Sequence, residues 1–390
     1  MKLQTKEQPS SQIIDMQMLA TLESMTTPLV ALVVLLLAVP ILVLPGLIGY
    51  PQKSKFYFLQ QLWSQGQEKT NTDASSEIVS LRVYPIKSCR GFTLTKTTLR
   101  SRGLDLDRQW MFVDAKTLEF LTIRQIPRMT LISTDISEDG KSLLLSIAND
   151  TENSHVDPIS IPAFPDETWL ANHTTLSQVK IWDVLTDGYV YGPGVNERFS
   201  RFLDRDVALV YKGPTSRVLQ GNGDPRLLGR AQSTNFPDVH PILIASEASI
   251  AELNSRLRQN GAEPITVERF RPNIVIKGNT PWTEDSWKVV RLNHQTGTEK
   301  EPLPSSPALD LDIVARCARC QVPNVNPETA EKHPKQPWDT LVSYRRVDEG
   351  IKFKPCFGML AAPRNQGPIE VGMRFDVLEE TNQHRYIKGF

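Results

Sequence analysis

VARCARCQVPNVNP, residues 314–327, ends a hydrophobic run with two arginines and two cysteines and then opens into a loop rich in Pro and Asn. A thiolate placed there, in positive surroundings, is a soft ligand suited to a metal or an anionic cofactor. The run it closes, LDIVARCARC, reads as a strand, and the same pattern repeats outward. WKVVRLN precedes it, and IEVGMRFDVL follows with small turn residues. Toward the N-terminus, GLDLDRQWMFVD is a strand led in by Asp107 and Arg108, and TLEFLTIRQIPRMTLISTDI carries another around Arg124 and Arg128. KSLLLSIAND and VKIWDVLTDGYVY continue the series. Short strands broken by Gly, Pro, Asn and Asp, without alternating long helices, predict an antiparallel barrel or sandwich.

Two stretches switch to a helical period. NERFSRFLDRDVALVY sets Phe199, Phe202 and Leu203 on one helical face before a strand at 207–211. In HPILIASEASIAELNSRL, residues 242–245 form a short buried strand, Ser246 stands where a cap is needed, and Ile250, Leu253 and Leu257 recur at helical spacing. The expected class is therefore α+β and β-rich.

Lys and Arg number 44 and Asp and Glu also 44 in 390 residues, so no global charge points to nucleic acid. The four cysteines, Cys89, Cys317, Cys320 and Cys356, are too few for a disulfide framework in a chain of this size, which favours a reducing compartment. Residues 28–50, PLVALVVLLLAVPILVLPGLIGY, carry no charge over the ~20 residues that cross a bilayer core. That run exceeds the roughly 7 to 15 apolar residues of a signal peptide, so it predicts one transmembrane helix behind a leader at 1–27. Residues 51–76 read as a linker, and Lys53 and Lys55 on the near flank favour a cytosolic C-terminal part.

Three basic motifs stand apart from the cysteine pair. In EIVSLRVYPIKSCRG, Pro85 and Gly91 bracket a loop holding Lys87, Ser88 and Arg90. Those residues suit first a solvated turn after an edge strand, and the loop's make-up also suits a phosphate. VERFRPNIVIKG sets Arg269 and Arg271 ahead of a strand, where arginines commonly pair with carboxylates. Asp238 and His240 fall in a candidate rim, His240 being as apt for a structural place as for proton transfer. A zinc reading would complete Cys317 and Cys320 with His333 and Cys356, but the second C-x-x-C pair is missing. No G-x-G-x-x-G occurs in a strand-to-helix setting, so no nicotinamide or flavin site is evident.

YPIKSCRG, LDRQWMFVD, FPDVHPILIASEASIAELNSRL, ERFRPNIVI, ARCARC and a C-terminal strand with VG together resemble the MOSC superfamily over residues 77–378. With the N-terminal anchor, the combination is similar to the mitochondrial amidoxime reducing components. The resemblance implies a MOSC N-terminal β-barrel domain at 77–212 packed with a MOSC β-barrel domain at 213–380, a tail at 381–390, and Mo-molybdopterin held between the domains. It implies that Cys320 is the thiolate on molybdenum and that Arg319 and the Ala318 backbone contact the cofactor. Lys87, Ser88, Arg108, Arg271 and Asn273 would hold the pterin and its phosphate. Val239 and His240 stand where the family commonly has small hydroxyl residues, which leaves their backbone donors. The implied activity is reduction of amidoximes and hydroxylamines by oxygen-atom transfer. Electrons would come from cytochrome b5 and NADH-cytochrome b5 reductase on the outer mitochondrial membrane, with the endoplasmic reticulum as the alternative. A non-catalytic or sulfur- and cofactor-carrying MOSC protein is the rival within the superfamily, although there is no room for a pyridoxal-phosphate desulfurase module.

Overall fold

Residues 75–148, 157–294 and 308–389 are described by a computed structural model. The expected leader, the anchor at 28–50 and nearly all of the linker lie outside the described residues. Among the described residues no helix is long and apolar enough to cross a membrane. In chain order the strands that position the site are β1 (Ser75–Val83), β2 (Trp110–Asp114), β3 (Thr174–Ile181), β4 (Val184–Tyr191), β5 (Val207–Lys212), β6 (Ile242–Ser246), β7 (Ile274–Ile276), β8 (Trp287–Asn293), β9 (Leu309–Ala318), β10 (Cys356–Pro363) and β11 (Arg374–Glu380). The longer helices are α1 (Pro193–Leu203) and α2 (Glu247–Gln259).

Seven strands close on themselves in the order β7-β6-β10-β9-β8-β11-β1, with β1 pairing back onto β7. Only β6 and β7 run parallel; the remaining pairs are antiparallel. Side chains alternate in and out along a strand, and β9 shows it: Leu309, Leu311 and Ile313 point into the barrel core while Asp310 and Asp312 do not, and after a register slip past Ile313 the buried Ala315 joins a separate cluster with Leu243 and Leu360. The alternation ends at Cys317 and Ala318, both half-buried, because the register with β10 slips between Arg316 and Ala318. Such a bulge bends a strand and re-aims its side chains. Leu81, Ile244, Ile276, Leu292 and Phe375 fill the barrel.

A second, smaller barrel is built from β3-β4-β5-β2. Residues 118–121 close it, with Phe120 N donating to Lys180 O at 3.0 Å and Leu121 N to Phe112 O at 2.9 Å. Met111, Val113, Val179, Ile181 and Val210 lie inside together with Phe236. The opposite face of β2 and β5 packs on α1 through Phe199 and Leu203 and on the sheet that begins with Ile132–Ile136.

Several expectations need correction. The strand expected around Arg124 and Arg128 is a turn followed by a 3-10 helix, Pro127–Leu131, and pairing begins only at Ile132. Pro127 has no N–H to give a ladder. Ser246 does precede α2 but makes no cap hydrogen bond, and its Oγ has no partner. The expected linker ends early, since Ser75 and Ser76 already pair with Asp376 and Phe375. β1 therefore belongs to the larger barrel, so one strand crosses the expected division at 212.

Candidate functional site

A cavity of about 430 Å³ opens where the bulged end of β9 meets the loops after β1, before β2, before β6 and before β7. Lys87, Ser88, Arg108, Val239, His240, Arg271, Asn273, Ala318, Arg319 and Cys320 all line it. Backbone bonds tie the loops together: Tyr84 N donates to Asp107 Oδ1 at 2.9 Å, and Arg108 N donates to Tyr84 O at 2.9 Å. Ser88, Arg108 and Arg271 have φ of 71°, 46° and 58°. That left-handed region costs a residue with a Cβ on the order of 1 kcal/mol, and such strain gathers where a ligand is gripped.

The cations differ in how far the protein has already satisfied them. Lys87 Nζ donates to Phe236 O at 2.9 Å and pairs with Asp238. Burial pulls Lys87 down to about 8 against the opposing pull of Asp238. Burial would raise Asp238, but Lys87 and then Arg124 hold it at about 2, so the pair is ionised at neutral pH. Arg108 is braced by Asp107 at 2.7 Å, by Asn273 Oδ1 at 3.1 Å and by Arg271 O at 3.0 Å. Arg271 has no carboxylate partner among the described residues. Its Nη1 donates to Cys89 O at 2.7 Å, its Nη2 has no partner, and it lies over the Tyr84 ring at 4.2 Å. Burial, and then the charge of Arg108, lower it to about 10. Arg319 donates to Phe270 O and to Cys317 Sγ, both at 2.9 Å, and its Nε is unpaired.

The other lining groups have distinct states. Asn273 is fully engaged: Oδ1 accepts from Leu243 N at 3.1 Å, and Nδ2 donates to Arg82 O at 3.3 Å. His240 is 4% exposed with neither ring nitrogen paired, and burial pushes it down to about 3, so the imidazole is neutral. It is thus neither a satisfied core histidine nor a source of an imidazolium proton. Burial also raises the thiols of Cys89 and Cys356, the latter to about 12. Cys317 and Cys320 are half-buried on the cavity wall, and all four cysteines are free. No group of three His, Cys, Asp or Glu side chains forms a metal cage among the described residues. His333 Nδ1 instead accepts from the backbone N–H of Lys335 and Gln336, so the zinc quartet is not assembled.

The wall includes residues to which no role was assigned from sequence, among them Arg124, Trp182, Phe270, Lys354, Tyr386 and Lys388. Tyr386 and Lys388 come from the expected tail, which is pinned where Tyr386 N donates to Asp348 Oδ1 at 2.8 Å and Ile387 N to Asn222 Oδ1 at 2.7 Å. Gly350 was the available signal, because a Cβ there would lie 2.0 Å from Tyr386 O. A half-buried thiol beside guanidinium groups that lack carboxylates suits a group with an anionic body and a soft metal.

Residues 75–206 match the MOSC N-terminal beta barrel domain, and residues 231–376 match the MOSC domain. The molybdenum cofactor sulfurase of Arabidopsis thaliana is 32% identical over 305 residues, covering 75% of this chain and 34% of that protein. The chain spans about a third of the length of the sulfurases it matches. The mitochondrial amidoxime-reducing component 1 of Homo sapiens is 30% identical over 304 residues, covering 76% of this chain and 81% of that protein. Its Mus musculus counterpart is 29% identical, with 76% and 80% covered.

Proposed function

The chain belongs to the MOSC family, and from that premise we propose that it is a molybdenum-cofactor oxidoreductase reducing N-hydroxylated compounds such as amidoximes and hydroxylamines. The observation that carries the reading is the sharing of one cavity by the Cys320 thiol and by Arg271, whose Nη2 has no hydrogen-bond partner and which forms no ion pair among the described residues.

In this reading Cys320 Sγ would hold the molybdenum. Arg271 and Arg108 would grip the phosphate end with Lys87 and Ser88, and Arg319 with the Ala318 backbone would hold the pterin side. When bound, the cofactor supplies two-electron oxygen-atom transfer at a thiolate-ligated metal. Lys87 keeps a proton on Nζ at neutral pH, close enough to its titration near 8 to exchange it. Asp238 stays a carboxylate and orients that ammonium, aided by Trp182 Nε1 at 3.1 Å. Neutral His240 offers one donor and one acceptor without adding charge. Phe270, Leu360 and Tyr386 limit water on the wall. Electrons would come from cytochrome b5 and its NADH-dependent reductase. An anchor at 28–50 would hold all three on the cytosolic face of the outer mitochondrial membrane, or alternatively the endoplasmic reticulum, raising their effective concentration.

The contact of Arg319 with Cys317 Sγ favours one second reading, a protein that carries sulfur or cofactor without reducing a substrate. Full-length protein from a molybdopterin-competent host, reduced and mixed once with benzamidoxime, separates the two. Molybdenum with benzamidine formed supports the reductase, and molybdenum without benzamidine supports the carrier. Protein that contains zinc and no molybdenum would sink both.

A further inference from the structure

A second cleft, of about 300 Å³, backs onto the site just described. Gln109 lines it, directly after Arg108, and so does Asn235, directly before the Phe236 whose carbonyl holds Lys87. Gly103 in its floor has φ 124° and lies against Pro241, the neighbour of His240, so closely that a Cβ would be 3.2 Å from the Pro241 carbonyl oxygen. Three cations line the cleft, and two are already balanced: Arg100 by Asp105 at 2.9 Å and Lys212 by Asp187 at 2.9 Å. Arg102 is not. Its Nη2 donates to Ser216 Oγ at 2.7 Å, and it has no carboxylate partner among the described residues. Asn235 is 8% exposed, and its side-chain amide, which makes no hydrogen bond among the described residues, faces the solvent of the cleft it lines. A guanidinium favours a planar or tetrahedral oxyanion.

We propose that this cleft binds a small oxyanion, a carboxylate or a phosphate group, through the Arg102 guanidinium and the Asn235 amide. Gln109 and Gln366 supply further amide donors beside it. The inference does not depend on what the first cavity holds. Calorimetric titration of the full-length protein with inorganic phosphate, and separately with acetate, tests it and tells the two sources apart. Saturable binding of either is expected, weakened about tenfold or more by Arg102→Gln and by Asn235→Ala, and still present in Arg271→Gln. Both substitutions are needed because loss of either variant's fold, read by its melting, would leave the other to decide. Absence of saturable binding overturns the proposal. So does binding that Arg271→Gln abolishes while Arg102→Gln retains it, which would put the anion in the first cavity.

Discussion

Replacing Arg271 with Met removes a charge while keeping a long side chain, and its two consequences should differ in size, small for stability and large for cofactor binding. In the cofactor-free protein the change forfeits the Nη1 bond to Cys89 O, about 1 kcal/mol, and the stacking on Tyr84, roughly 0.5 to 2 kcal/mol. It also relieves an unpaired Nη2, about 1 to 3 kcal/mol, together with repulsion from Arg108. The left-handed backbone strain is the same for Met as for Arg. These effects nearly cancel, so empty Arg271→Met should unfold within about 1 kcal/mol of wild type. An anionic cofactor, by contrast, would lose a charge-assisted contact of about 1.5 to 3 kcal/mol, which is roughly 10- to 150-fold in affinity. Urea unfolding of protein from a host that makes no molybdopterin measures the first quantity. Molybdenum and pterin content of protein from a competent host measures the second. Full cofactor retention, or a collapse of the empty protein by several kcal/mol, would show that Arg271 is a structural brace and that the reasoning is wrong.

Cys320→Ala should lose molybdenum and reductase turnover with the fold intact, while Cys317→Ala should be much milder; metal analysis showing the reverse would transfer the ligand role to Cys317. His240 takes up protons in the unfolded chain below its ordinary 6.5 and in the folded one only near 3, so stability should fall as pH drops through that window. The slope is at most ~1.4 kcal/mol per pH unit, and His240→Leu should flatten it; urea midpoints with equal slopes in the two proteins would refute the burial argument. Gly91→Ala would put a Cβ 2.0 Å from the Val83 carbonyl oxygen and should cost about 2 kcal/mol or more. Gly140→Ala meets nothing within 4 Å and should cost only about 1 kcal/mol of left-handed strain. Thermal melting that ranks the two the other way would contradict the geometry.

How much of this was legible beforehand depended on the range of the physics involved. The two-residue period of β9 is local, so its buried face could be read from LDIVARC. The bulge that turns its end depends on pairing with Cys356, and nothing in VARCARC announces it. Scattered motifs pointed to residues that one cavity brings together, because each motif is a short loop whose neighbours are fixed nearby. Their electrostatic state was not readable. Lys87 and Arg271 look alike as cations in loops, but Asp238, 151 residues away, neutralises the first, and nothing comparable reaches the second. The strand expected around Arg124 and Arg128 failed because apolar residues suggested a ladder that Pro127 cannot extend. Tyr386 escaped notice because its place depends on Asp348 and Asn222 capturing tail backbone.

The larger barrel is closed by its earliest strand pairing with its third strand in chain order and with its last, Ile78 with Ile276 and Ser76 with Phe375. A ribosome adding about 5 to 20 residues per second therefore exposes β1 long before β11 exists. Until then β1 has an unpaired edge, open to misplaced strands and in need of shielding. The smaller barrel carries no such delay, since 110–212 is contiguous in synthesis. Protease protection of pulse-labelled nascent chains should accordingly arise first in 110–212, and in β1 only once Arg374–Glu380 has emerged. A wall that includes Cys320 cannot be finished before that moment, so any cofactor must be delivered after it.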